Sequence, residues 1–362
     1  MLGPMRRSTL WVVGWLGVAA CTSTPDSNPN TLTSNTFGPS SSESTASDES
    51  GSTGDESTTL DTSTSSDTTT DTTTTGSTTG IPDLPPVASG CVAVDLLFVI
   101  DNSESMGVYQ EALADAFPSF IDALYDFLPP DVSLHVGVTT TDMAGGCSTP
   151  QVNAFCQGQE LASVTTMYYS EPNSGVGNGV PGSQGRLFPF AGKTFFESNT
   201  SDDAGPLKTW FDGAATSAGE NGCSFEMPIA AAGWAAAPIN IGATGTNKDF
   251  FRNQGALLVV FFLTDEPDHT PIARAQMVDL LRGVKSNCGE TSPDECIFMA
   301  GLVPACISES PTQNLWKFMN DWGHDTDAPW ADILQVDQYE TLVGETLANT
   351  LADECEKIPP EG

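Results

Sequence analysis

The loop that follows the first strongly apolar segment carries side chains that could bind a metal ion. Its sequence is Asp101-Asn102-Ser103-Glu104-Ser105. Alternate residues of a tight turn direct one carboxylate (Asp101) and two hydroxyls (Ser103 and Ser105) toward a single point. Hard divalent cations prefer such oxygen ligands. The spacing predicts a cation site, with Mg²⁺ as the expected ion and Ca²⁺ or Mn²⁺ as alternatives. The other interpretation is a helix cap, since Asp and Ser are favoured at N-caps.

The surroundings of this loop distinguish it from chance copies of the same pattern. D-x-S-x-S also occurs at Asp48 and Asp61, inside a Ser-rich segment. Only the copy at Asp101 lies between an apolar run, residues 92–100, and a helical pattern of apolar residues over 108–128. The position after a buried strand is where open α/β sheets bind ligands.

Alternating strands and helices continue along the chain. Further strands are predicted at residues 132–139, 256–263, 297–303 and 333–336. Helices are predicted at residues 228–237, 272–285, 315–322 and 339–352. The apolar strands are typical of strands buried on both faces. The expected fold is therefore a doubly wound, mostly parallel α/β sheet flanked by helices.

On these residues the chain resembles the von Willebrand factor type A (vWA) domain, whose metal-ion-dependent adhesion site (MIDAS) contains D-x-S-x-S after the first strand. The family's third metal loop is typically T-D-G, and Thr264-Asp265 matches its first two residues. The resemblance implies that Asp265 binds the cation through water. Glu266 replaces the usual glycine, and Asp268 adds an acid nearby. These acids either extend the site, favouring Ca²⁺, or face water.

The family's second metal loop normally supplies a threonine, and this chain departs from that pattern. Residues 219–226 lie at the corresponding place and contain no threonine. Ser224 is the expected hydroxyl donor, with Glu226 as the alternative that binds the cation directly. Asp142, at the end of the second strand, is a further candidate ligand.

The N-terminal quarter has the composition of a targeting signal and a linker. Two arginines precede an apolar run of a length typical of a signal peptide. The run ends in Val18-Ala19-Ala20-Cys21, which resembles a bacterial lipobox. We expect a lipoprotein signal peptide over 1–20, with Cys21 lipidated. An acidic Ser/Thr-rich disordered linker follows over 21–87. The vWA-like domain occupies 88–358, with a long insertion at about 143–222.

The cysteine count agrees with export. Excluding Cys21 leaves eight cysteines, which permit up to four disulfides in an oxidising compartment. They are Cys91, Cys147, Cys156, Cys223, Cys288, Cys296, Cys306 and Cys355. Three pairings are suggested, although many others are possible: Cys91 with Cys355, Cys147 with Cys156, and Cys288 with Cys296. A zinc site is disfavoured because no C-x-x-C pair occurs and the three histidines are scattered.

Charge and motifs exclude several classes of function. The chain has 47 acidic and 12 basic residues and a net charge of −35, which disfavours nucleic-acid binding. No G-x-S-x-G or H-E-x-x-H motif is present, so an enzyme is not expected.

The resemblance implies an adhesion or binding lipoprotein of the bacterial cell envelope, anchored by lipid and expected at the outer membrane. Its expected partner is a protein or extracellular matrix ligand with an acidic coordinating group. The alternative is a structural envelope protein, or a secretion or surface-assembly subunit, in which the cation only stabilises the fold.

Overall fold

A mostly parallel sheet forms the centre of the domain. The computed structural model describes residues 90–143, 169, 171–172, 183–222, 225–288, 292–305, 313–322, 324 and 328–358. The six strands of the sheet are β1 (Ala93–Ile100), β2 (Ser133–Thr140), β3 (Phe195–Asn199), β4 (Ala256–Leu263), β5 (Ile297–Val303) and β6 (Trp330–Asp332). Their order is β3-β2-β1-β4-β5-β6, and only β3, at one edge, runs antiparallel to its neighbour. The predicted doubly wound fold is confirmed.

Helices cover both faces of the sheet. The α-helices are α1 (Gly107–Phe127), α2 (Gly205–Ser217), α3 (Pro228–Ala235), α4 (Pro238–Ile241), α5 (Arg274–Val284), α6 (Asn314–Met319) and α7 (Ala348–Glu356). A π-helical segment, Glu340–Leu347, leads directly into α7, and short 3₁₀ turns lie at Ser183–Gly185, Pro293–Cys296 and Val336–Gln338. Within the described residues no helix is both long and apolar enough to span a membrane.

The two faces of β1 explain why its sequence is almost continuously apolar. Side chains of alternate strand residues point to opposite faces. Val94, Leu96 and Phe98 pack in a core formed with α1, α2 and the C-terminal helices. Leu97 and Val99 belong to the core on the other face, formed with α3, α5 and α6. A strand covered on both sides cannot alternate between apolar and polar residues.

Asp95 is the exception within β1, and it is compensated by basic side chains at the amino edge of the sheet. Its carboxylate is fully buried and accepts hydrogen bonds from Lys285 Nζ (2.9 Å) and Arg252 Nε (2.7 Å). Lys285 also donates to the carbonyl of Ala256 (2.9 Å). Burial alone would raise the pKa of Asp95, but the charges of Lys285 and Arg252 hold it below its usual value.

Two predicted disulfides are present. Cys91 is bonded to Cys355, so the segment that leads into β1 is linked to the last helix. The backbone N–H of Cys91 also donates to the carbonyl of Cys355 (2.9 Å). Cys288 is bonded to Cys296 and closes the loop between α5 and β5. The other cysteines, Cys21, Cys147, Cys156, Cys223 and Cys306, lie outside the described residues.

One element differs from the sequence expectation. The predicted strand at 333–336 was wrong: the last strand is Trp330–Asp332, and it ends where Asp332 Oδ1 accepts a hydrogen bond from the backbone N–H of Leu334 (3.1 Å). The vWA resemblance implies a short edge strand and a helix between β2 and the second metal loop, and β3 and α2 lie there. The expected lipoprotein signal, the linker and most of residues 144–182 lie outside the described part of the chain.

Candidate metal centre

Three strand ends meet at the carboxyl edge of the sheet. Ile100 pairs with Thr140 of β2 and with Leu263 of β4, so the next residues of these strands, Asp101, Thr141 and Thr264, are neighbours. The order of the strands reverses between β1 and β4, which is the topological switch point where doubly wound sheets bind ligands. The predicted site lies at that point.

Hydrogen bonds from both flanking loops fix the Asp101 carboxylate. Asp101 is completely buried. Its Oδ1 accepts from the backbone N–H of Ser103 (2.8 Å), and its Oδ2 accepts from the hydroxyl of Thr264 (2.8 Å). Burial and the nearby charge of Asp265 raise the pKa of Asp101 to about 7. The carboxylate is thus held rigidly in a place that disfavours its own charge.

The two predicted serines lie beside both acids. Their hydroxyls are 3.3 Å apart, and Ser103 is buried whereas Ser105 is exposed. Burial raises the pKa of Asp265, and the nearby Ser105 hydroxyl opposes that rise. The structure therefore brings together four predicted residues, Asp101, Ser103, Ser105 and Asp265.

The capping interpretation of this loop does not match the structure. Helix α1 begins at Gly107, and Met106 occupies the N-cap position without any side-chain hydrogen bond. Asp101 instead accepts the N–H of Ser103, which lies before the helix. The acid and its serines are consequently not used to cap α1.

The second metal loop, residues 219–226, is held against the loop at Asp101 by hydrogen bonds to backbone carbonyls. The side-chain amide of Gln110 donates to the carbonyls of Asp101 (2.8 Å) and Gly219 (3.2 Å). The N–H of Gly222 donates to the carbonyl of Asn102 (2.7 Å). A Cβ at residue 222 would lie 2.4 Å from Asn102 Oδ1, so this close approach requires glycine. Ser224, the expected hydroxyl donor, lies outside the described residues.

Glu226, the alternative second-loop ligand, is enclosed beside Asp101. Its side chain has no exposed surface, and its Oε2 accepts a hydrogen bond from the hydroxyl of Thr141. Its Oε1 has no hydrogen-bond partner. Burial and the charge of Asp101 raise the pKa of Glu226 well above its usual value, and Glu266 and Asp142 add to the effect.

The remaining predicted acids have different surroundings. Glu266 is half-buried, and burial together with the charges of Asp101 and Asp265 raises its pKa to about 8. Asp268 lies apart from this group: its Oδ1 accepts from the backbone N–H of Ile229 (3.2 Å) in the first turn of α3. Neither Glu266 nor Asp268 simply faces water.

The donor set fits a hard divalent cation. Asp101, Glu226, Asp265 and Glu266 form no ion pair with any basic side chain of the described residues. Oε1 of Glu226 and Oδ1 of Asp265 are buried oxygens that accept no hydrogen bond. Buried charges normally require a partner or a metal. Because no three Asp, Glu, His or Cys side chains in the described ranges converge with ligating geometry, a cation here would also need hydroxyl oxygens.

Sequence reasoning did not assign roles to three residues that shape the site. Thr264 orients Asp101, Thr141 holds Glu226, and Gln110 joins the first two loops. Thr264 stood in the matched T-D pair, so its hydroxyl could have been identified. Nothing in the sequence indicates the other two contacts, which span 85 and 109 residues.

Among known proteins, the chain is similar to solved structures but matches no protein family or curated protein. A von Willebrand factor type A protein from Catenulispora acidiphila is 12% identical, with a TM-score of 0.32, over 72% of this chain and 42% of that one. The pilus adhesin SpaC from Lactobacillus rhamnosus GG, in an open conformation, is 10% identical, with a TM-score of 0.37. The match covers 73% of this chain and 30% of SpaC. The chain thus spans less than half the length of either protein, and its fold is assigned from its own strand order and register.

Proposed function

We propose that this chain is a binding protein of the bacterial envelope, with a vWA-like domain that recognises a protein or matrix ligand through a divalent cation. The observation that carries the proposal is that the carboxylates of Asp101 and Asp265 lie close together. These acids follow the two strands at the switch point, and no basic side chain in the described residues compensates them.

The chain's own residues suit this role. Asp101 and Ser103 would hold the cation from the buried side, and Ser105 and Asp265 from the rim. The bound cation would supply the positive charge that attracts an acidic group of the partner. The exposure of Ser105 leaves the rim accessible from solvent, as recognition of a macromolecule requires.

Location in the envelope is proposed from the sequence signal and is supported by covalent structure. The apolar run ending at Cys21 carries the lipidation hypothesis. The disulfides Cys91–Cys355 and Cys288–Cys296 are typical of an oxidising compartment outside the cytoplasm. We further propose a membrane anchor through Cys21, with the acidic segment up to residue 87 as a spacer.

Binding is proposed in preference to catalysis. The described histidines contact structural groups: His135 Nδ1 lies 2.8 Å from the carbonyl of Phe250, and His324 Nε2 lies 2.7 Å from the carbonyl of Ile297. The ring of His269 packs beside Phe225. None of these contacts pairs a histidine with a serine or cysteine nucleophile.

A structural role for the cation is the second candidate, and burial favours it. Asp101 has no exposed surface and Ser103 is 3% exposed, so much of a bound ion would be enclosed. In that case chelation lowers the melting temperature, and no partner group ever reaches the ion.

A peptide-binding experiment separates the two roles. The full chain, with its disulfides intact, is applied to bead-bound peptides that carry one Asp or Glu, and to matched peptides with Asn or Gln. The proposal predicts retention on the acidic peptides in Ca²⁺ or Mg²⁺, loss of retention in EDTA, and loss in Asp101→Ala. Glu104→Ala, an exposed change in the same loop, should bind normally. Equal retention on both peptide sets, or retention by Asp101→Ala, would overturn ligand recognition at this site.

A further inference from the structure

We propose that Glu226 is the second-loop ligand of the cation and that its carboxylate makes the site select Ca²⁺ over Mg²⁺. This inference rests on the proposed cation site and adds a ligand and an ion preference to it. The expected hydroxyl donor of that loop, Ser224, is not needed for it.

The position of Glu226 places its carboxylate at the same edge as Asp101. Glu226 lies two residues before α3, and the N–H of Met227 donates to the carbonyl of Thr141 (3.3 Å). The Thr141 hydroxyl donates to Glu226 Oε2. Thr141 and Asp101 each follow a residue of the last β1–β2 pair, Ile100 with Thr140. The two carboxylates therefore belong to one group of side chains.

The unsatisfied oxygen of Glu226 is a buried acceptor that a cation could fill. The side chain is fully buried, Oε1 has no partner, and no basic side chain of the described residues forms an ion pair with it. A buried carboxylate without a partner carries a large desolvation cost. A bound cation would satisfy Oε1.

The number of carboxylates determines the preferred ion. Mg²⁺ is usually bound by one or two carboxylates and keeps several waters in a strict octahedron. Ca²⁺ accepts six to eight oxygens in a flexible arrangement, including bidentate carboxylates. Adding Glu226 to Asp101 and Asp265 gives three candidate carboxylates. No three acidic side chains of the described residues form a group with ligating geometry in this structure, so cation binding would require Glu226 to move toward Asp101. A set of three carboxylates suits Ca²⁺ better than Mg²⁺.

The test is a calorimetric titration of Ca²⁺ and Mg²⁺ into the full oxidised chain and four variants, of which Asp101→Ala is the one that removes the proposed site itself. Wild type should bind Ca²⁺ about tenfold or more tightly than Mg²⁺. Glu226→Gln keeps the shape but removes the charge, and should weaken Ca²⁺ binding about tenfold while changing Mg²⁺ binding much less. Glu226→Asp keeps the charge but shortens the reach, and should also weaken Ca²⁺ binding. Glu220→Gln, an exposed change in the same loop, should match wild type.

The outcomes separate this inference from the proposed cation site. If Asp101→Ala abolishes binding while both Glu226 variants keep wild-type affinity and selectivity, Glu226 is not a ligand and the cation site stands. If wild type binds no divalent cation, both are wrong. If Glu226→Gln does not fold, the Glu226→Asp result decides: unchanged Ca²⁺ affinity overturns the inference, and weakened affinity with unchanged Mg²⁺ affinity supports it.

Discussion

The two ends of β1 treat a buried carboxylate in opposite ways. Asp95, near the amino end, is fully buried beside Lys285 and Arg252, and its pKa is lowered. Asp101, just past the carboxyl end, is equally buried, lacks a basic partner among the described residues, and has its pKa raised to about 7. Only residues 96–100 of β1 thus separate a compensated acid from an uncompensated one.

This difference separates an edge closed by stabilising contacts from the edge at which we propose the binding site. The amino edge also carries the Cys91–Cys355 disulfide, so it is closed by covalent and ionic contacts. The carboxyl edge collects acids whose charges oppose one another. A protein tolerates such a cluster when a ligand completes it, and perturbed acids at a strand end are typical of functional sites.

The largest expected change in the free energy of unfolding comes from removing the basic partner of Asp95 at the amino edge of the sheet. Lys285→Met should lower the free energy of unfolding by about 3 kcal/mol, because it removes one partner of a buried ion pair. Lys248→Met, which removes an exposed pair with Asp249, should change it by less than about 0.5 kcal/mol. Urea denaturation at pH 7 measures both. Equal effects would mean that the buried network does not stabilise the amino edge.

The pH dependence of the metal-free protein sharpens the contrast. Burial and neighbouring acids raise the pKa of Asp101 to about 7 and of Glu266 to about 8. Through these two acids the folded state binds more protons than the unfolded state above about pH 4, so their contribution to stability falls as the pH rises toward 8. His269, whose pKa burial lowers to about 4, opposes this fall only below about pH 6.5. Asp95 adds no slope in this window, because its lowered pKa affects stability only in more acidic solution.

Urea denaturation in EDTA at pH 5 and at pH 8 measures this fall. Asp101→Asn should reduce it, and a Ca²⁺ concentration of about 100 times the dissociation constant should restore about 2.7 kcal/mol at pH 8. A metal-free protein that is as stable at pH 8 as at pH 5 would show that the acids at the carboxyl edge are not strained by their burial.

The smallest expected effect on stability is that of removing Asp268, an acid that we expect to stabilise α3 and not to bind the cation. Asp268→Ala removes the acceptor for the Ile229 N–H at the start of α3 and should lower the free energy of unfolding by about 1 kcal/mol. Its cation affinity should equal that of wild type. Asp279→Ala, an exposed change on α5, is the matched control and should have little effect on either quantity. A loss of cation binding in Asp268→Ala would instead place this residue among the ligands.

The sequence predicted best those strands that are buried along their whole length. The bounds predicted for β4 and β5 match the structure, because strands covered on both faces have uninterrupted apolar sequences. The resemblance implies an edge strand in this part of the chain, but the residues of β3 were not predicted, since they are only partly buried and the apolar signal is weak. The strand β6 has three half-buried residues, and a turn at Asp332 displaced it from the predicted position.

The candidate site was predictable where its residues are close in sequence. Asp101, Ser103 and Ser105 share one loop, and Asp265 follows the most apolar strand, so pattern and topology together bring them to one edge. The full burial of Glu226 could not be foreseen, because it depends on how a distant loop packs against Thr141. Occupancy by a cation remains a prediction.

The central claim is that a divalent cation completes the carboxyl edge of the sheet. Its most direct test is a calorimetric titration of Ca²⁺ and Mg²⁺ into the oxidised full chain after removal of metal with EDTA, beside Asp101→Ala and Asp265→Ala. We predict saturable binding to wild type that is lost in both variants, while the Cys91–Cys355 disulfide is retained. Absence of binding in wild type, or unchanged binding in both variants, would contradict the account.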